Sequence, residues 1–138
     1  MGASRDLKEL LPKVRDAAEA AVEECERAGL HPLITCTYRD GKEQDSLYAQ
    51  GRTKPGPKVT NAKAGQSFHQ YRVALDLYPV VNGKIDFSGG APEWKEIAAI
   101  FIKHGFEWAF NWTKMKEKPH FQMAGGHPLS YFQKGGVL

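Results

Sequence analysis

The chain has 138 residues, 41% hydrophobic and 25% charged, which excludes a disordered or fibrous polypeptide and suits one domain, residues 1–138, with a real core. The formal net charge of +3 comes without a dense Lys/Arg block, so nucleic acid is not an expected partner. No apolar run approaches the roughly 18 residues needed to span a bilayer, and no signal-peptide h-region opens the chain. The expectation is a protein made in the cytoplasm without a Sec-type address, not inserted in a membrane, and monomeric. Cys25 and Cys36 are too few for a disulfide scaffold; buried free thiols are the favoured reading and a single bridge between them the alternative.

In chain order, residues 6–28 have the pattern of an amphipathic helix. Leu7, Leu11, Val14, Ala18, Val22 and Cys25 form its apolar stripe, Asp6 and Glu9 resemble a capping box, and Gly29 is a natural stop. Leu33–Tyr38 is β-branched and alternating, a strand that ends at the turn Arg39-Asp40-Gly41. Glu43–Gln50 reads as a short helix stopped by Gly51. Residues 51–66 make a long, basic, Gly/Pro-containing loop, a kind that is functional or disordered when found inside a compact domain. Val73–Val81 and Lys84–Phe87 flank Asn82-Gly83, a strong hairpin signal. Glu93–His104 is a helix between Pro92 and Gly105; Phe106–Trp112 reads as strand plus turn, His120–Met123 as a last short strand, and 124–138 as a Gly-rich surface tail. No repeat or second domain is visible, and no separate wall-binding segment is expected.

The chemistry gathers around Ser67–Asp76, S-F-H-Q-Y-R-V-A-L-D. Asp76 lies in an apolar strand, where a free carboxylate is costly to bury, so it needs a partner. His69 stands seven residues before it, and a His plus a carboxylate suits zinc. A catalytic zinc site takes three protein ligands and keeps one open position; His120, following Pro119 at the start of a strand, is the best third. Glu117, three residues earlier, suits the general base of amide hydrolysis, and Arg39 at a strand end suits a donor to the oxyanion. A purely structural zinc would favour four ligands and thiolates.

Ser67-x-His69-x6-Asp76 together with Glu117-x-Pro119-His120-Phe121-Gln122 resembles the LAS-type zinc peptidases that cut D-amino-acid bonds in bacterial cell walls. These comprise D-Ala-D-Ala carboxypeptidases and dipeptidases and the L-alanyl-D-glutamate endopeptidases of phage lysins. The stretch Thr37-Tyr38-Arg39…Glu43-Gln44…Leu47-Tyr48-Ala49-Gln50-Gly51-Arg52…Thr60-Asn61-Ala62 is most similar to the phage branch, and matches run from about residue 30 to 123. The resemblance implies an α+β fold, a small antiparallel β-sheet with packed helices as in hedgehog and D-Ala-D-Ala peptidase domains. It implies one Zn2+ held by His69, Asp76 and His120, with Glu117 as base and Arg39 near the substrate carbonyl. Ser67 and Gln44 match positions near substrate or behind the metal. The implied substrate is the peptidoglycan stem peptide, and the implied role is a phage or prophage endolysin acting on the wall. The alternatives are a D,D-carboxypeptidase or dipeptidase and, less in keeping with Glu117, a wall-peptide binding module. Two departures stand out: Arg72 where the family has Gly, and Phe110 where it has Gly in E-W-G-G-x-W. Both are expected to narrow the cleft or change peptide preference.

Other residues have blander readings. His31, His104 and His127 fall at helix ends or in the tail, where His is commonly a terminus or surface residue. Glu107 is a rival base that reads better as a structural hydrogen-bonding group. Tyr78, Trp108 and Trp112 suit either a groove lining or the core. The basic loop suits either an anionic surface or plain solvation.

Overall fold

A computed structural model of the chain describes residues 3–58, 60, 62–111 and 118–138. Helix α1 runs Pro12–Arg27, shorter than the 6–28 expected from periodicity. Pro12 is the reason: it lacks an N–H and fits only the first turn, so the helix begins there. Leu7–Glu9 instead forms a separate 3-10 turn capped by Asp6, which accepts from Lys8 N. At the other end Gly29, at φ +78°, permits a Schellman close. Leu30 N donates to Cys25 O and Gly29 N to Glu26 O, and both Leu30 and Cys25 enter the core.

Strand β1 is Pro32–Cys36, and a bulge between Ile34 and Cys36 ends its regular pairing. Thr37 and Tyr38, expected within the strand, bond to the N-terminal segment through Thr37 N→Ser4 O and Ser4 N→Tyr38 O. Helix α2 spans Gly41–Ala49, capped by Asp40, whose carboxylate accepts from Glu43 N at 2.8 Å. Strands β2 (Ala74–Val81) and β3 (Lys84–Ile85) form the expected hairpin, with Asn82 and Gly83 both at positive φ. Helix α3 is Glu93–Lys103, closed like α1: Phe106 N donates to Phe101 O, and the two rings meet at 5.4 Å. Strand β4 is Glu107–Trp108, β5 is His120–Gln122 and helix α4 is Leu129–Gln133.

Among the described residues the strands form one antiparallel sheet, ordered β1-β2-β5-β4 with β3 also on β2. Leu75, Leu77, Trp94, Ile97, Phe101 and Phe121 fill the core between this sheet and α1 and α3. The expected α+β architecture is therefore present. The tail expected on the surface is not all surface: α4 buries Phe132, which stands edge-on to Phe68 at 5.8 Å and stacks on Tyr71 at 6.0 Å. Both cysteines are free and buried. Among the described residues no helix is long and apolar enough to cross a membrane.

Candidate metal centre

The site is built on the middle of β2. Alternation turns the fully buried Leu75 and Leu77 towards the core and leaves Asp76 on the opposite face. Register supplies neighbours on both sides: Cys36 of β1 and His120 of β5 are the Cα partners of Asp76. His69 arrives from outside the sheet, on a 3-10 turn at Phe68–Tyr71. Ser67 caps that turn, its Oγ accepting from His69 N at 3.2 Å, while Gln70 Oε1 accepts from Ser67 N at 3.4 Å. Tyr71 Oη donates to Gly65 O at 2.8 Å, and Phe132 braces the rings on either side of His69.

Three donor groups converge. His69 Nε2 lies 3.2 Å and His120 Nδ1 lies 3.4 Å from the same oxygen, Asp76 Oδ1. The outer nitrogens are committed elsewhere: His69 Nδ1 donates to the Thr37 carbonyl at 2.8 Å, and His120 Nε2 to Gln122 Oε1 at 2.9 Å. Protons on the outer nitrogens leave the inner ones facing the carboxylate, the tautomer a metal-ligating histidine adopts. Burial opposes charge on His69, yet the charge and hydrogen bond of Asp76 raise its pKa well above the ordinary imidazole range. Burial likewise opposes ionisation of Asp76, and the two imidazoles more than offset it, holding the carboxyl far below its usual range. The pocket thus attracts a cation to the inner face of His69, either a proton or a metal ion.

Two histidines and a carboxylate are donor types that suit zinc. Ligands bound tetrahedrally at about 2.0–2.1 Å from a zinc ion stand about 3.3–3.4 Å from one another. The two distances to Asp76 Oδ1, 3.2 and 3.4 Å, have that length, and the histidine rings meet at 74° with centroids 5.1 Å apart. Cys36 offers a rival donor, since its Sγ, one nitrogen of His69 and one oxygen of Asp76 lie within 4.8 Å of one another. The thiol, however, is 3.8 Å from His69 Nδ1, the nitrogen already spent on Thr37. Burial raises the Cys36 pKa, but the hydrogen bond and charge of His69 and the charge of Arg39 outweigh it and lower the net value.

Arg39 lies across the carboxylate from the histidines. Its Nη2 is 3.6 Å from Asp76 Oδ2 and donates to Cys36 Sγ at 3.5 Å; Nη1 donates to Gln44 Oε1 at 2.8 Å. Gln44 is fully buried, and its Nε2 donates to Ala62 O at 2.7 Å. Gln44 thus ties Arg39 to Thr60 and Ala62 from behind the site. Arg72, expected to crowd the cleft, instead turns to the N-terminal segment. Its guanidinium donates to Glu9 Oε2 and Glu9 O, both at 2.8 Å, and lies 4.0 Å over the Tyr38 ring. Phe110 packs on Trp108 at 4.9 Å.

Glu117, Asn61 and Trp112 lie outside the described residues. The remaining groups fall where blander readings put them. His104 Nε2 meets Glu24 Oε1 at 2.9 Å, His127 stacks on Tyr131 at 3.8 Å, and Glu107 is exposed opposite Gln122. Trp108 is buried, and its Nε1 donates to Lys118 O at 2.7 Å, fixing the approach to Pro119-His120. Three contributors had no usable sequence signal: Cys36, Thr37 and Phe132 act through register or long-range contacts. Gln122 did have one, since it shares a strand face with His120.

Known proteins resemble the chain in sequence and in fold. A family model described as D-alanyl-D-alanine carboxypeptidase matches residues 60–123. The peptidoglycan L-alanyl-D-glutamate endopeptidase CwlK of Bacillus subtilis (strain 168) is 37% identical over 123 residues, covering 83% of this chain and 74% of that protein. Among solved structures, the Serratia marcescens L-Ala D-Glu endopeptidase ChiX superposes with a TM-score of 0.66 at 17% identity, covering 86% of this chain and 83% of that one. The vancomycin resistance D,D-pentapeptidase VanY in complex with Zn(II) gives 0.60 at 16% identity, covering 93% and 80%. At those identities the two structures speak for the fold, and the Bacillus relative speaks for kinship. The chain therefore belongs to the LAS-type zinc peptidase family of D-alanyl-D-alanine carboxypeptidases and L-alanyl-D-glutamate endopeptidases, and is a metallopeptidase.

Proposed function

We propose that the chain is a zinc-dependent L-alanyl-D-glutamate endopeptidase of the peptidoglycan stem peptide, acting in the cell wall, with one zinc ion held by His69, Asp76 and His120. What carries the ligand assignment is the convergence of His69 Nε2 and His120 Nδ1 on Asp76 Oδ1 while both outer nitrogens are occupied. His120 is preferred to Cys36 as third ligand because its Nδ1 lies 3.4 Å from the same Asp76 oxygen that His69 Nε2 faces, whereas Cys36 Sγ is hydrogen-bonded to His69 at Nδ1, on the Thr37 side of the ring. The Bacillus relative, an L-alanyl-D-glutamate endopeptidase by name, supports the choice of bond.

Zinc, when bound, supplies Lewis acidity that lowers the pKa of a water to about 7 and polarises the scissile carbonyl. The chain's own residues do the rest. Glu117, three residues before His120, takes the proton from the attacking water and passes it to the leaving amine. Arg39, held by Gln44, donates N–H groups to the carbonyl oxygen as negative charge develops there. Ser67, half-buried beside His69, is the substrate-contact candidate at the rim. Within this reading we assign the enzyme to host-cell lysis as a phage or prophage endolysin, on the resemblance of its Thr37–Ala62 stretch to the phage branch. Expression in a bacterial cytoplasm with a co-expressed holin should then give lysis that omission of the holin abolishes; survival with the holin would remove that role.

A second reading, D,D-carboxypeptidase or dipeptidase, has the description of the matching family model in its favour. Digestion of purified wall separates the two. Mass spectrometry finding new N-terminal D-Glu supports the endopeptidase, whereas free D-Ala without new D-Glu termini would replace it with the second reading. Binding to the wall without products would leave only a binding module.

A further inference from the structure

The open face of β2 continues past the metal centre as an apolar strip. Tyr78 follows Asp76 by two residues and shares its face. Val80 comes next on that face, and Ile85 of β3 is its cross-strand partner. Phe87, two residues beyond Ile85, meets the Tyr78 ring edge-on at 5.1 Å, and Tyr78 in turn meets Trp94 at 5.7 Å. Phe87 is 70% exposed and Ile85 37% exposed, so two of the large apolar side chains open to solvent lie together on this strip. Two neighbouring charged groups are bonded to nearby atoms. Asp86 accepts from Trp94 Nε1 at 2.8 Å and from Ala91 N at 3.0 Å, and Lys118 Nζ bonds to Gly89 O.

This aromatic ledge lies further along the strand face that carries Asp76 and suits one half of the substrate better than the other. Beyond the L-Ala–D-Glu bond the stem carries free carboxylates and a diamino acid. Before it there is one alanine, joined through a neutral lactyl amide to an N-acetylated sugar. The sugar presents C–H faces and acetyl methyl groups, which suit an exposed phenyl ring.

We propose that Phe87, supported by Tyr78, is the platform for the N-acetylmuramyl end of the substrate, so that the enzyme prefers stem peptides still attached to the glycan. This rests on the L-alanyl-D-glutamate endopeptidase reading. Phe87 is a specificity determinant remote from the reacting atoms, and its exposure makes its replacement compatible with folding.

The test compares two substrates from the same wall: the disaccharide tetrapeptide, and the tetrapeptide freed of sugar and N-acetylated to keep the amide neutral. The wild-type enzyme should favour the first in kcat/KM by about tenfold or more, and Phe87→Ala should lower that ratio about five- to tenfold, with Phe87→Trp restoring it. A ratio near one in the wild type, or a ratio unmoved by Phe87→Ala, overturns the platform. Product sequencing in the same assays identifies the bond. Cleavage elsewhere would remove the endopeptidase reading, and the ratio would still decide whether Phe87 holds sugar.

Discussion

Asp76 and His120 are direct cross-strand partners in the β2–β5 pair, and their side chains meet at 3.4 Å. A one-residue slip of β5 would send His120 to the core face and break the site. Its register is held by Leu77 N→Pro119 O, by Met123 N→Val73 O, and by the Trp108 indole on the Lys118 carbonyl.

Trp108→Phe should therefore weaken the site from a distance. The substitution keeps most of the stacking on Phe121 but removes the only N–H of the indole ring. The expected loss is about 1–3 kcal/mol of stability, with zinc affinity falling about tenfold. Urea denaturation and zinc competition against a chelator measure the two effects; an unchanged affinity would mean that the indole does not set the register.

Gln44→Met should separate positioning from metal binding. The side chains are similar in volume, but the change leaves Arg39 Nη1 and Ala62 O without their partner. Turnover should fall about 10- to 100-fold while one zinc per chain is retained. Loss of metal by this variant would instead place Gln44 in support of the ligands.

Zinc binding should release protons, because Asp76 raises the pKa of His69 in the metal-free protein. Calorimetry at pH 7.5 in buffers of different ionisation enthalpy should count about one proton per zinc. The signs for stability follow. The raised His69 pKa contributes stability present below about 6.5 and lost as pH rises towards its folded value. The depressed Asp76 pKa contributes stability present above about 3.9 and lost as pH falls. Metal-free protein should thus be most stable between about pH 4 and 6.5 and weaken towards pH 9. Zinc-loaded protein should not weaken over that upper range; parallel melting curves with and without zinc would contradict the coupling.

Arg72→Gly should be close to neutral. Arg72 sits at φ +63°, a left-handed conformation that costs a non-glycine residue about 1 kcal/mol. Its compensation is an ion pair with the half-exposed Glu9, worth about 0–1 kcal/mol, and a cation–π contact with Tyr38, worth about 0.5–1 kcal/mol. Arg72→Val keeps the strain and loses both contacts, so thermal melting should order the proteins Gly near wild type and Val clearly below. A melting temperature for Val equal to that of wild type would show that the backbone is not strained there.

Much of this was legible in the sequence. The alternation in Val73–Val81 shows which way Asp76 points, Asn82-Gly83 announces the hairpin, and the glycines after α1 and α3 mark their ends. His69 and His120 both lie beside Asp76, the three residues that the family resemblance implies as ligands. What could not be read depends on register or on contacts far apart in the chain. Cys36 reaches the site only because a bulge makes it the partner of Asp76. Phe132 looked like tail because nothing local shows that Phe68 and Tyr71 await it. Arg72 looked like a cleft residue because its φ, and hence its direction, is set by the turn that carries His69.

The most direct measurement is X-ray absorption at the zinc edge of the loaded protein. The proposed ligands predict a first shell of nitrogen and oxygen at about 2.0–2.1 Å with outer-shell scattering from two imidazoles, unchanged in Cys36→Ala. A sulfur scatterer at about 2.3 Å that vanishes in Cys36→Ala, with a spectrum indifferent to His120→Ala, would contradict it.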